Sequence, residues 1–239
     1  MQLFGALHLS LIGAIALAAA ILAILCRSRR IPHRPLRLII GYGLAVNEII
    51  WWVYRYSHEG VHLPNLPLQL CDATLWTSVL ACLTLRPALV EFTYFAGLAG
   101  AGMALLTPDI VFPWPSYPAF YFFLAHGGIV IAIAVLVFGG IAPLRSGAVW
   151  RAFGMLVAYA LVIGLFDAVS GANYMYLRSK PGNASLLDAF GPWPWYLVVT
   201  AAVTLALFWL LWLPVRPRPG VNVRSACPRR PDTAPNRTP

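Results

Sequence analysis

"LQLCDATLWTSVLACLTL", residues 68–85, is an eighteen-residue apolar run with Gln69, Cys71 and Asp72 in its first five positions. At ~1.5 Å per residue it covers roughly 27 Å, just short of a ~30 Å hydrocarbon core. Whether it crosses sets the topology, because the flanking sequence supplies six longer apolar runs, near 4–26, 38–56, 88–107, 118–141, 149–170 and 193–215. If 68–85 crosses as well, the count is odd and the two ends of the chain lie on opposite sides.

The arginines favour the odd count. Basic residues close to span ends are retained on the cytoplasmic side. With seven spans and the N-terminus outside, fourteen of the 17 Lys and Arg residues face the cytoplasm: Arg27, Arg29, Arg30, Arg34, Arg37, Arg86, Arg145, Arg151, Arg216, Arg218, Arg224, Arg229, Arg230 and Arg237. Arg55, Arg178 and Lys180 remain outside. The expected fold is therefore an all-α, seven-transmembrane-helix bundle over 1–215, N-terminus outside and C-terminus cytoplasmic, in the cell (cytoplasmic) membrane. The first span carries "CRSRR" after it and no basic residue before it, so it reads as a retained helix and not as a cleaved signal.

Composition agrees. The 239 residues are 60% hydrophobic and 10% charged, with a mean hydropathy of +0.73. The net charge of +9 follows from topology and attraction to anionic headgroups, and nucleic acid is not an expected partner. Residues 216–239 are rich in Pro and Arg with little to bury and are expected to be a disordered basic tail. Of Cys26, Cys71, Cys82 and Cys227, only Cys71 falls in the outer half, so no outer disulfide is expected.

Ionisable residues inside spans are costly, and their depth is informative. Asn47 and Glu48 fall in the second span, Gln69, Cys71 and Asp72 in the third, His126 in the fifth and Asp167 in the sixth, all in the outer half or near the middle. Counting along the helices puts Cys71 roughly 6 Å and His126 roughly 12 Å below the outer boundary. On the third span Cys71, Thr74, Ser78 and Cys82 follow spacings of three and four, a stripe that also suits close helix packing. "AGLAGAGMA" (96 and 97 against 100 and 101) reads as a second packing surface, and Glu91 as interfacial or paired with Arg86.

"HEGVH" (58–62) matches a zinc-protease pattern, but Gly60 and the following "LPNLP" break the helix it requires. No metal site and no cofactor are expected. A retinal protein needs a lysine in its last span, and the one lysine, Lys180, lies in a loop.

"LPLQLCD" (66–72), "FFLAHG" (122–127) and "NYMYLRSKP…SLLDAFGPWPWY" (173–196) resemble the YwaF-like family of bacterial integral membrane proteins, related to animal transmembrane protein 164. The resemblance runs from about Glu48 to the end of the last span. It implies a multi-pass fold and, from the animal relative, transfer of fatty acyl chains onto lysophospholipids through a cysteine, which Cys71 matches. His126 carries over as its partner. The residue chemistry is compatible: a thiol attacks as the thiolate, and an imidazole accepts its proton. Glu48 or Asp167 then orients the imidazole, Gln69 or Asn173 donates to an oxyanion, Asp72, turned about 100° from Cys71, follows the bacterial pattern, and Arg178 and Lys180 hold a lipid headgroup. The partners implied are membrane lipids, a lysophospholipid and an acyl donor. Two other readings stand beside it: a transporter or channel lined by Asn47, Glu48, Asp72, His126 and Asp167, and a non-catalytic membrane scaffold.

Overall fold

The computed structural model describes residues 3–108, 113–182 and 185–216. The expected disordered tail, apart from Arg216, lies outside the described residues, as does Cys227. Among the described residues the chain is all helical, with no strand. Six helices are long and apolar enough to cross a membrane: α1 (Ala6–Arg27), α2 (His33–Glu59), α4 (Pro87–Leu106), α5 (Tyr117–Phe138), α6 (Ala148–Ser170) and α7 (Trp195–Trp212). Between α2 and α4 lies α3 (Leu70–Thr84), of 15 residues, about 22 Å long.

The shortness of α3 has local causes. Gln69, extended (φ −71°, ψ 157°) with its N–H on Asp72, caps its start, and Leu85 turns left-handed (φ 54°, ψ 23°) at its end. Arg86 is then held extended by the proline after it, and Pro87 begins α4. Although short, α3 is a core helix: Thr74, Leu75, Ser78, Val79, Ala81 and Cys82 are buried. Ser78 Oγ donates to Thr74 O (2.6 Å) and Thr74 Oγ1 to Cys71 O (3.0 Å), so the small polar stripe satisfies itself and presents an apolar envelope. Packing therefore absorbs Thr74, Ser78 and Cys82, but not Cys71, which is exposed.

Successive helices alternate in direction. His8 Nε2 bonds Leu105 O (2.8 Å), which joins the start of α1 to the end of α4. At the opposite end Arg27 reaches Phe138 O (3.4 Å), Arg37 donates to the carbonyls of Cys82 and Leu83, and Tyr94 OH donates to Leu211 O (2.7 Å). The start of α1 and the end of α7 are thus at opposite ends of the bundle. α5 lies between α1 and α2 because a Cβ at Gly127 would meet Ile15 at 2.8 Å and one at Gly128 would meet Leu44 at 2.6 Å. Thr93–Gly97 in α4 and Ala134–Phe138 at the end of α5 are wound as π-helix, which shifts the register of both helices below the level of His126.

Glu91 differs from its expected reading. It is 1% exposed and is gripped by Arg145 and Arg151 through four hydrogen bonds of 2.8–3.0 Å, with Arg86 not among its partners. The pairs span 54 and 60 residues and lock α4 to the start of α6.

Candidate active site

Cys71 occupies the first turn of α3, and the segments on either side fix that turn in place. Leu68 O accepts from Tyr159 OH of α6 (2.9 Å). Gln69 N donates to Asp72 Oδ2 (2.9 Å), a carboxylate at the positive end of the helix dipole. Gln69 Oε1 accepts from Met175 N (3.1 Å), which leaves its NH₂ free to donate. The chain leading in is pinned by Tyr174, 2% exposed, whose hydroxyl donates to Leu63 O and accepts from Leu66 N (2.8 Å). Burial pushes the Tyr174 phenol above its ordinary range, so it acts as a neutral donor.

Of the three described cysteines, Cys26 and Cys82 are buried and Cys71 alone is exposed. α3 packs against α2 and α5, and those two helices bring Glu48 and Tyr121 together. Glu48, fully buried, accepts from Tyr121 OH on α5 (2.7 Å) and from Trp52 Nε1 on its own helix (2.6 Å). Trp51 stacks flat on Tyr121 at 4.2 Å between centroids. Both carboxylate oxygens are thereby held, which makes Glu48 a fixed wall of the site and not a free base. Tyr121 was not among the residues expected here; its one sequence signal is a hydroxyl in the otherwise apolar "FYFFLA".

His126 is buried on the same helix as Tyr121, five residues further in. Five residues turn an α-helix by about 140° and advance it about 7.5 Å. The imidazole is therefore deeper than Tyr121 and on another face, and no hydrogen bond among the described residues joins it to Cys71 or Glu48. Its Nδ1 pairs with Phe122 O (2.8 Å), and since a carbonyl only accepts, Nδ1 carries the proton and Nε2 the lone pair. The ring also packs on Phe122 at 4.3 Å.

Asp167 is 0% exposed, and neither carboxylate oxygen has a partner among the described residues. It shares the face of α6 that carries Tyr159 and Ile163, spaced by four, and lies within electrostatic reach of Tyr174. The bond expected to orient the His126 imidazole is therefore absent. Asn173 acts instead as a loop staple: Nδ2 donates to Ser179 O and Oγ (both 2.9 Å), while Oδ1 accepts from the N–H groups of Arg178 and Ser179. No amide hydrogen is left aimed at Cys71. Arg178 is exposed, with Nη1 on Ala172 O (3.2 Å). Lys180 is drawn to Asp188 (3.8 Å) and over the Tyr196 ring (5.6 Å).

The "HEGVH" stretch does not present two histidines on one helix. His58 is in the last turn of α2, and Gly60 (φ 75°) ends that helix before His62. His58 Nδ1 faces Tyr54 O (2.8 Å) and Ser57 Oγ (3.1 Å) within its own turn.

Substituting Tyr121 by phenylalanine removes one of two donors from a buried carboxylate. The expected cost is about 1–3 kcal/mol, read as a lower unfolding temperature in detergent, with Trp51→Phe costing less.

A family model described as "TMEM164 family" matches residues 3–212. An "Uncharacterized protein" of Treponema pallidum (strain Nichols) is similar to the chain, 26% identical over 227 residues, which covers 90% of each. No solved structure matches.

Proposed function

The chain belongs to the TMEM164 family of membrane proteins, and on that footing we propose that it is a cysteine-dependent acyl-transfer enzyme acting on membrane lipids. In this reading α3 completes a seven-span bundle in the cell membrane, with the Cys71 end outside and the arginine-rich end cytoplasmic. The observation that carries the proposal is the thiol itself. Cys71 is the one exposed cysteine among those described, on a helix first turn whose N–H groups have no intrahelical acceptor.

The Cys71 sulfur attacks the ester carbonyl of a donor phospholipid. The carbon–oxygen bond breaks, the proton given up by the thiol goes to the departing lysolipid oxygen, and an S-acyl enzyme remains. The hydroxyl of an acceptor lysophospholipid then attacks the thioester, and the carbon–sulfur bond breaks to restore the thiol. His126 Nε2, with its lone pair free, is the group assigned to take the acceptor's proton, which then passes to the departing Cys71 thiolate. First-turn N–H groups of α3 and the NH₂ of Gln69, whose Oε1 is taken by Met175 N, are the groups assigned to the oxyanion. Asp72 and Glu48 shape the wall around the thiol, and Arg178, exposed at that end, suits a lipid phosphate.

A transport reading draws on one observation, the buried carboxylate of Asp167 with no partner among the described residues. The two separate cleanly. Purified protein in nanodiscs, given a phospholipid with a labelled acyl chain and an unlabelled lysophospholipid, should move label to the acceptor. That transfer should survive Asp167→Asn and disappear with Cys71→Ala. No transfer with any of several donors, together with a transport defect in Asp167→Asn, would replace the proposal with the transport reading.

A further inference from the structure

An apolar feature separate from Cys71 lies toward the other end of the bundle. Between α1, α4 and α5 runs an apolar groove of about 250 Å³, lined on α1 by Ala19, Ala20 and Ala23, on α4 by Leu98, and on α5 by Ala134 and Phe138. It exists because α1 offers only methyl groups there. It also lies where α4 leaves its π-helical turn at Gly97 and α5 enters its own at Ala134. From Val130 to Phe138, both of which line it, the groove extends about 12 Å along α5, enough for a substantial stretch of an acyl chain.

Its mouth is cationic. Ala19, Ala23 and Arg27 follow one another at intervals of four, so Arg27 continues the lining face of α1 to the helix end. The guanidinium is exposed and places one of its five N–H donors, at 3.4 Å, on the carbonyl of Phe138, itself a groove residue. Arg29 and Arg30 follow immediately and are also exposed. An acyl slot that ends beside an unsaturated guanidinium matches a phospholipid in register: chain in the groove, phosphate at the arginine.

We propose that this groove binds one anionic phospholipid of the leaflet at the α1–α2 turn, with an acyl chain against Ala19, Ala20 and Ala23 and the phosphate on Arg27. The site is separate from Cys71, which lies at the opposite end of the bundle, and it holds a structural lipid, not a substrate.

The test is native mass spectrometry of protein released from nanodiscs of mixed phosphatidylglycerol and phosphatidylcholine, for wild type, Arg27→Gln, Arg29→Gln and Ala20→Phe. Ala20 is exposed, so phenylalanine there fills the groove without entering the core. Wild type and Arg29→Gln should retain one lipid, enriched in phosphatidylglycerol by about fivefold over the bulk ratio. Arg27→Gln should keep a lipid and lose the enrichment, and Ala20→Phe should lose the lipid while remaining folded by size exclusion. Equal retention and equal headgroup ratios in all four would overturn the proposal and leave ordinary boundary lipid. A change of oligomeric state in Ala20→Phe, with no lipid retained by wild type, would overturn it in favour of a second copy's helix.

Discussion

Replacing Cys71 by alanine is expected to lower acyl transfer by at least roughly three orders of magnitude, the scale on which loss of a covalent nucleophile is felt. The protein should insert and unfold as wild type does. Two features of the structure make that separation possible. Cys71 is exposed at the end of the α3 stripe, beyond its buried members Thr74, Ser78 and Cys82, so its removal opens no cavity. The first turn around it is held by other groups: Tyr159 on Leu68 O, Asp72 on Gln69 N and Gln69 on Met175 N. Cys82→Ala is the contrasting control. Its side chain is 0% exposed, so removing the sulfur leaves a small cavity in the core and should lower thermal stability while each folded molecule keeps its activity. Cys71→Ser should resemble Cys71→Ala, because a serine hydroxyl is a far weaker nucleophile without a base in contact. The check is transfer per folded molecule, with folding scored independently by size exclusion and thermal unfolding.

The second large effect is on stability and lies at the far end of the bundle. Glu91 is 1% exposed, and its carboxylate is neutralised by Arg145 and Arg151, whose side chains are 49% and 40% exposed. The arrangement is asymmetric: the two cations reach water and the anion does not. Removing both guanidiniums, in Arg145→Ala with Arg151→Ala, should therefore be the damaging change. A buried carboxylate stripped of its partners costs about 3–5 kcal/mol, so the Glu91 site becomes the weak point of the fold. Glu91→Gln should be milder, since the guanidiniums then turn to solvent. Thermal unfolding in detergent should rank the three as wild type, Glu91→Gln, double arginine variant, in descending order. An unchanged unfolding temperature in the double variant would mean the cluster is held by something other than charge.

The features legible in the sequence divide from the rest along a physical line. Hydropathy carries the position of a helix along the chain, and all seven apolar runs are helices, with bounds shifted by a few residues where the Gln69 cap, Pro87, Pro118 and Gly171 set starts and stops. α2 extends beyond its apolar run at both ends, to His33 and Glu59, because polar residues there remain helical outside the greasy segment. Hydropathy does not carry the azimuth of one helix against another, and every misread pairing depends on azimuth. Tyr121 meets Glu48 across 73 residues, and Arg145 meets Glu91 across 54. Neither contact leaves a local trace. The π-helical turns at Thr93–Gly97 and Ala134–Phe138 rotate the residues beyond them, so a count of 3.6 residues per turn drifts there.

The same limit governs the site. Counting residues along each helix sets Cys71 and His126 in one half of the bundle, but it does not show that the imidazole turns onto Phe122 or that Glu48 pairs with Tyr121. Asn173 carried the right chemistry for an oxyanion donor, yet its neighbours Arg178 and Ser179 claim every group on the amide in closing the loop after α6. That loop closure is short-range and had a sequence signal, an Asn followed within six residues by Ser, of the kind that ties loops to their own backbone.

The decisive measurement is the site of covalent attachment. Protein in nanodiscs, incubated with an alkyne-bearing acyl donor without acceptor, should carry label that hydroxylamine releases and that peptide mapping assigns to Cys71, with none in Cys71→Ala. Turnover of that label on adding lysophospholipid should slow in His126→Ala. Well-folded protein that transfers acyl chains with no thioester at Cys71, or that carries no label from any donor, would contradict a cysteine mechanism.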